Sequence, residues 1–331
     1  MAPRRRQRNT VLVAVYDKEE GHLVYRFNVK NLFSERLHGG DDEVLPLPAR
    51  PLARFPHPPG RIERVALAAY PRGGGGGGAK KMKIVAATEN GRTIVHDTST
   101  KESSPGPDLQ ANDLCLQFEA LRLQGGRCRA AAPVPPAPFD TLNLTACFVE
   151  GTRIWMNVDD QQGTYSLDMA RRVWRKEGSW YLPIEDGAIY VPDLGLLLGF
   201  KVGRLNLCAY DIKANTPMIL RQGQNFGKLL PLRMWRSGDL IPTVHDGYRF
   251  GEKHHPVEFF FVSLDYLGGG RFCIAWSSTP APLGHPSKLK GCIFALTAVE
   301  LTRNSDGELQ LKKRRSRCYF LSRQQIGYML R

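Results

Sequence analysis

The chain has 331 residues, 42% of them hydrophobic, enough to bury one large core or two small ones. No apolar run reaches the roughly 18 residues that a membrane-spanning helix needs, and 33 glycines with 23 prolines favour many short turns, hence an all-β chain. The net charge of +14 gathers at the ends: Arg4, Arg5, Arg6 and Arg8 near the start, and Lys312, Lys313, Arg314, Arg315, Arg317, Arg323 and Arg331 near the finish, with no acid in either stretch.

In chain order, residues 1–9 are a basic tail. It leads into a strand pattern and not into the apolar core of a signal peptide, so an intracellular protein is expected, in the cytoplasm, the nucleus or both. One domain is expected over 10–322, with 323–331 as a C-terminal tail. Thr10–Tyr16 and His22–Val29 read as two strands of a hairpin around Asp17–Gly21. Asn31–Pro59, with Pro46, Pro48, Pro51, Pro56, Pro58 and Pro59, predicts a long irregular surface loop. Ile62–Ala69 is a third strand, and Gly73–Gly78 is a glycine loop. Met82–Thr88 and Arg92–Asp97 form a hairpin that turns at Asn90-Gly91. Leu114–Arg122 fits a strand or a short helix, and Ala130–Pro138 is an Ala/Pro linker. Leu142–Glu150 and Thr152–Val158 form a hairpin at Gly151.

The clearest pattern lies in Thr164–Phe200. In Thr164–Asp168, Tyr165 and Leu167 face one way and the polar residues the other, the period of a half-buried strand. Asp168 starts a turn, because its carboxylate bonds the backbone two residues on. Arg171–Lys176 alternates again, with Trp174 placed to anchor the strand on the next layer. Pro192-Asp193 is a further turn, and Leu194–Phe200 suits a short buried strand. Later strands are expected at Arg204–Tyr210, Pro217–Leu220, Val257–Asp265, Arg271–Ser277, Cys292–Thr302 and Glu308–Phe320. Phe33–Leu37 and Arg323–Leu330 are the best short-helix candidates.

An aromatic residue, an Asp, a turn and then a Trp resembles the kelch-type blade of a β-propeller. The wider run, Gly163–Asp168 with Trp174-Arg175 and Trp180–Pro183, is similar to a large family of uncharacterised, kelch-like proteins expanded in grasses, which carry a plant domain of unknown function. Further matching pieces are Ile84–Thr88 with Thr93–Asp97, Gln117–Leu121, Leu207–Asp211, Leu267–Cys273 and Leu296–Glu300. The resemblance covers about Thr10 to Tyr319. It implies a kelch-like propeller of about five or six blades, and it implies no established activity. Some plant propellers of this kind follow an F-box, for which the residues before Thr10 are expected to leave no room. Family members carry another strand pair after Asp97, where Ser99–Asn112 is mostly Ser, Pro, Gly and Asp. One early blade is therefore expected to be incomplete, through a real shortening or a gene-model error. Blade-like acids stand at Asp97, Asp168, Asp211, Asp265 and Glu300. If the first and last strands share a blade and close the ring, Arg4–Arg8 and Lys312–Arg317 are expected to form one patch.

Arg4-Arg-Arg-Gln-Arg8 and Lys312-Lys-Arg-Arg-Ser-Arg317 carry the strongest chemical signal. Such runs serve as nuclear-localisation signals or anion-binding patches; they also blunt exposed sheet edges. Clustered Lys and Arg bind phosphates in a salt-dependent way, but no base-stacking platform or zinc module accompanies them here. Gly73–Gly78 lacks the following Lys-Ser/Thr pair of a phosphate loop. The adjacent His254 and His255 would point to opposite sides of a strand, and the cysteines and histidines show no ligand spacing. Cys115, Cys128, Cys147, Cys208, Cys273, Cys292 and Cys318 predict buried free thiols. Trp174 and Trp276 read as core; Trp235 reads as a loop residue and a partner contact. No catalytic, cofactor or metal residue is expected, and no membrane contact. The expectation is a monomeric, non-enzymatic scaffold for a protein partner. The alternatives are nucleic-acid association through the basic termini and an enzyme site in the propeller channel.

Overall fold

Alternating apolar residues and turn formers pair here as antiparallel meanders. The computed structural model describes residues 8–17, 19–34, 44–56, 65–71, 82–88, 91–108, 121–124, 127–130, 134–140, 143–158, 162–180, 182, 184–201, 206–212, 233–235, 259–278, 291–322 and 325–329. The first strands are β1 (Thr10–Asp17), β2 (Gly21–Asn28), β3 (Val44–Pro46) and β4 (Ala53–Phe55). Next come β5 (Val65–Pro71), β6 (Met82–Thr88), β7 (Thr93–Asp97) and β8 (Glu102–Pro105). A two-stranded hairpin follows, β9 (Leu121–Gln124) with β10 (Arg127–Ala130). Then come β11 (Leu144–Glu150), β12 (Arg153–Val158), β13 (Gly163–Asp168) and β14 (Val173–Gly178). They are followed by β15 (Ile184–Val191), β16 (Leu196–Lys201), β17 (Leu207–Tyr210) and β18 (Arg233–Trp235). The last are β19 (Phe259–Gly268), β20 (Arg271–Ser278), β21 (Gly291–Arg303), β22 (Leu309–Ser322) and β23 (Gln325–Met329).

These strands make a five-bladed β-propeller. Blade 1 has the order β23-β1-β2-β4, blade 2 is β5 to β8, blade 3 is β11 to β14, blade 4 is β15 to β18, and blade 5 is β19 to β22 with β3 added. The first strands touch around the axis: β11 with β15, β15 with β19, and β19 with β23. Four pairs of neighbouring blades share a buried core among the described residues. Val13, Tyr25 and Phe27 of blade 1 meet Phe294, Leu296 and Tyr319 of blade 5, where the Phe27 and Tyr319 rings pack edge-on at 4.7 Å. Leu198 and Phe200 of blade 4 meet Ile274 and Trp276 on the other face of blade 5. Blades 3 and 4 share Phe148, Trp155, Leu197 and Tyr210, and blades 1 and 2 share Leu12, Val24, Ile84 and Ala86. The ring closes where β23 pairs antiparallel with β1, from Val13↔Met329 to Asp17↔Gln325.

Several expectations are corrected. The helix and tail expected at Arg323–Leu330 contain the closing strand β23. The expected loop Asn31–Pro59 contains β3 and β4; a 3-10 turn at Lys30–Phe33 ends where the Phe33–Leu37 helix was expected to begin, and residues 35–37 lie outside the described residues. Ser99–Asn112, expected to lack a strand, supplies β8, which completes blade 2. The short unit is instead the β9–β10 hairpin. Gly73–Gly78, Pro217–Leu220 and His254-His255 lie outside the described residues.

The turn after the third strand is the repeated device. Asp97 accepts the Ser99 amide at 2.9 Å, and Asp168 accepts the amides of Ala170 at 2.9 Å and Arg171 at 3.1 Å. The Arg171 amide in particular holds the Asp168 carboxyl below its usual range. Asp211 follows β17 at the matching place in blade 4. Asn28 does the same job in blade 1, accepting Lys30 N at 3.0 Å, and Asn304 does it in blade 5, accepting Glu308 N at 2.7 Å. The sequence reading missed both asparagines. It placed Glu300 and Asp265 in this role, but they lie within β21 and β19 and hold arginines instead.

Asn157 is 1% exposed and fully engaged. Its Nδ2 donates to the Leu182 carbonyl at 2.8 Å and its Oδ1 accepts the Leu182 amide at 2.6 Å, which ties blade 3 to the chain entering blade 4. Asn157→Leu leaves the buried Leu182 amide unpaired, while the Leu182 carbonyl keeps the Ile184 amide at 2.8 Å. We expect a loss of about 1–3 kcal/mol, read as a lowered denaturant midpoint.

His96 lies buried on β7, with Nδ1 3.0 Å from Ser103 Oγ on β8. Burial lowers its pKa below the ordinary 6.5, against smaller raising effects from the Leu52 backbone and Asp97. The unfolded chain then takes up the proton first. Stability from this site is fully present above the unfolded value and is lost as pH falls through the lowered folded value. Between about pH 7.5 and about pH 5, the wild-type melting temperature should fall more steeply than that of His96→Gln.

Candidate interaction surface

The basic C-terminal run is the strand β22, and blade 5 turns it into part of a row. Register places Gly268 of β19 opposite Arg271 of β20, Arg271 opposite Glu300 of β21, and Glu300 opposite Lys312 of β22. Residues directly opposite across strands share a face. Cys273, Ala275, Leu296 and Ala298, at even steps from Arg271 or Glu300, pack toward blade 1, so the row faces blade 1 at one end of the sheet.

Glu300 organises the row. Arg271 Nε donates to its Oε1 at 3.1 Å, and Arg314 Nε donates to its Oε2 at 2.8 Å. The Glu300 side chain is 15% exposed, so it holds two guanidiniums where water screens weakly. The Arg271 guanidinium also lies 5.0 Å from the centre of the Phe33 ring, a cation–π contact with the 3-10 turn. The register of β21 and β22 breaks between Thr297 and Val299. Arg314 and Arg315 therefore share the space opposite Ala298, a bulge that concentrates charge. Ser316 interrupts the run by turning inward, 3.0 Å from Thr297 Oγ1.

Arg8 reaches the other side of the same sheet end. Its amide donates to the Leu267 carbonyl at 2.7 Å, and its guanidinium donates to Asp265 and to the Tyr266 carbonyl. Arg8 is thus docked on the inner strand β19. Three strand spacings, about 14 Å, separate β19 from β22, with Arg271 between. Arg8 thus lies on β19 and not beside β22, because the closing strand is 325–329. Arg4, Arg5 and Arg6 lie outside the described residues. Beside Arg8, the Tyr266 hydroxyl donates to the Asp193 carboxylate of the β15–β16 turn. Burial first, and that carboxylate second, push the phenol up to about 12. Gly268, Gly269 and Gly270 all have positive φ and make the tight turn beneath. A Cβ on Gly270 would stand 2.4 Å from the Leu301 carbonyl.

Lys312 and Lys313 are exposed, while Arg314, Arg315 and Arg317 are half-buried. Arg317 also bonds the Tyr319 hydroxyl, whose pKa burial raises. Trp235 lies in the strand β18, opposite Leu207, and not on a loop. Trp276 is core, 5.6 Å from the Phe200 ring. Trp174 instead holds the incoming linker, its Nε1 donating to the Pro135 carbonyl at 2.9 Å. Cys208, Cys273 and Cys318 are buried free thiols, but Cys147 is exposed. Among the described residues, no group of three His, Cys, Asp or Glu is placed to hold a metal ion. The sequence reading missed Arg271, because only the strand register brings it toward β22, and Phe33, which the 3-10 turn sets against Arg271.

Removing the carboxylate tests this row. Glu300→Gln should cost about 2 kcal/mol, since two half-buried guanidiniums lose their counter-charge, and it should delay salt elution from a heparin column. Unchanged stability and elution would show that Glu300 does not organise the row.

No curated protein matches the chain in sequence. Among solved structures, it is similar to the WD40 domain of SCAP from fission yeast, at 9% identity and a TM-score of 0.36, covering 91% of this chain and 73% of that one. It is also similar to the β-propeller domain of Cps50 (Swd1) from Myceliophteria thermophila, at 10% identity and a TM-score of 0.39, covering 99% and 98%. Residues 7–319 match the model of the family described as "Protein of unknown function (DUF1668)", and the chain belongs to that family.

Proposed function

We propose that this protein is a non-enzymatic scaffold of the cell interior, cytoplasmic, nuclear or both, that binds a protein partner through the end of blade 5. The kelch-like, plant character of the chain belongs to the same proposal. The observation that carries it is the fixed row Arg271, Glu300, Lys312 and Arg314, held on a closed ring whose chain ends share one sheet. A rigid ring presents such a row without ordering cost on binding. Net positive charge speeds encounter with acidic surfaces. A second reading, nucleic-acid association, draws on the same strand, where Lys312, Lys313, Arg314, Arg315 and Arg317 stand with no acid on β22.

Affinity purification from plant cells at near-physiological salt, with and without nuclease, separates the two. The scaffold reading expects a defined set of proteins that survives nuclease. Material that disappears with nuclease would move the assignment to nucleic acid. If nothing specific is recovered, both readings fail, and an enzymatic site in the channel becomes the next to test.

A further inference from the structure

Of the 23 prolines in the chain, three follow a hydroxyl residue: Pro105 after Ser104, Pro217 after Thr216 and Pro280 after Thr279. The last two pairs lie outside the described residues, whereas Ser104-Pro105 belongs to β8, the fourth strand of blade 2. All four residues of β8 are exposed, and the strand has no large apolar side chain to bury. It is tied to β7 by backbone pairing, from Asp97↔Glu102 to Ile94↔Pro105. The turn that leads into it holds Lys101 at a φ of 62°, a left-handed conformation that side chains disfavour. An exposed strand held chiefly by its backbone opens locally at low cost.

The two serines of β8 point to opposite faces. Ser103 turns inward, its Oγ 3.0 Å from His96 Nδ1. Ser104 lies opposite Val95 on the other face and is exposed. Pro105 restricts Ser104 to an extended backbone and offers no N–H at the following position. An exposed hydroxyl on extended chain, followed by a residue without an amide hydrogen, is the substrate form that proline-directed protein kinases accept.

We propose that Ser104 is a phosphorylation site for a proline-directed protein kinase, and that the phosphate loosens β8 from blade 2. The γ-phosphoryl group of ATP passes to Ser104 Oγ: a P–O bond to the serine oxygen forms, the bond to the ADP oxygen breaks, ADP leaves, and the hydroxyl proton goes to the kinase's base. The new group carries about two negative charges. On the Ser104 face Glu102 stands two residues away, with Asp97 directly opposite Glu102. Lys83, opposite Asp97, lies 3.9 Å from the Asp97 carboxylate and is already engaged. A phosphate beside these carboxylates is repelled, and β8 has no buried apolar side chain to resist. This site goes beyond the scaffold reading and does not depend on it.

The test incubates the full chain with an activated mitogen-activated protein kinase and ATP, and locates phosphate by tandem mass spectrometry. Ser104 should be modified at least about ten-fold faster than in Pro105→Ala, which restores the N–H. Ser103→Ala should be modified at Ser104 at least as fast as the wild type. Ser104→Ala, checked for an unchanged melting temperature, should lose most of the incorporated phosphate. Phosphate found only on Ser103, Thr216 or Thr279, or none at all, would overturn the site. In the phosphorylated chain, amide hydrogen exchange in β7 and β8 should be at least about ten-fold faster, with blade 3 unchanged. Phosphate on Ser104 with unchanged exchange in β7 and β8 would overturn the loosening.

Discussion

A propeller blade cannot stand alone. Each sheet has two apolar faces, and both must be covered by neighbours, so the ring has to close before any blade is fully buried. Here closure falls to a short pairing, β23 on β1, between the two ends of the chain. Arg8 reinforces it from the N-terminal side by bonding Asp265 and the backbone of β19. The segment between β2 and β4 reinforces it from outside. Its 3-10 turn buries Leu32 and Phe33 with the core shared by blades 1 and 5, and β3 pairs with β22. Three pieces of chain that look like tails and loops therefore fasten blade 1 to blade 5.

The same fastening positions the basic row. Phe33 comes from the outer segment and lies under the Arg271 guanidinium. Glu300 draws Arg271 and Arg314 together from β20 and β22. That carboxylate thus fixes two of the row's guanidiniums at one end of blade 5. Lys and Arg on a sheet edge discourage nonspecific pairing with another sheet.

Much of this was legible in the chain. Short alternating runs, Asx residues and glycines marked the hairpins of blades 3 to 5. What failed was non-local. Arg323–Leu330 looked helical because Ile326, Met329 and Leu330 sit at helical spacing; its strand form depends on β1, more than three hundred residues away in sequence. The strands β3 and β4 are three residues each and lie among prolines, too short to show a period. Ser103 and Ser104 of β8 carry no apolar signal, since this edge strand is exposed. The basic run was plain, but its partners Arg271 and Glu300 were not, because register across three strands brings them together.

The closing strand is the most direct place to test this account. Amide hydrogen exchange would be compared between the full chain and a chain ending at Ser322, which lacks β23. If closure governs the ring, amides of β1 and β2 and those around Leu267 should exchange at least about ten-fold faster in the shortened chain, with the far side of blade 3 less affected. Equal protection in both chains would contradict it, and would mean that blade 1 is held by blades 2 and 5 without the pairing of its ends.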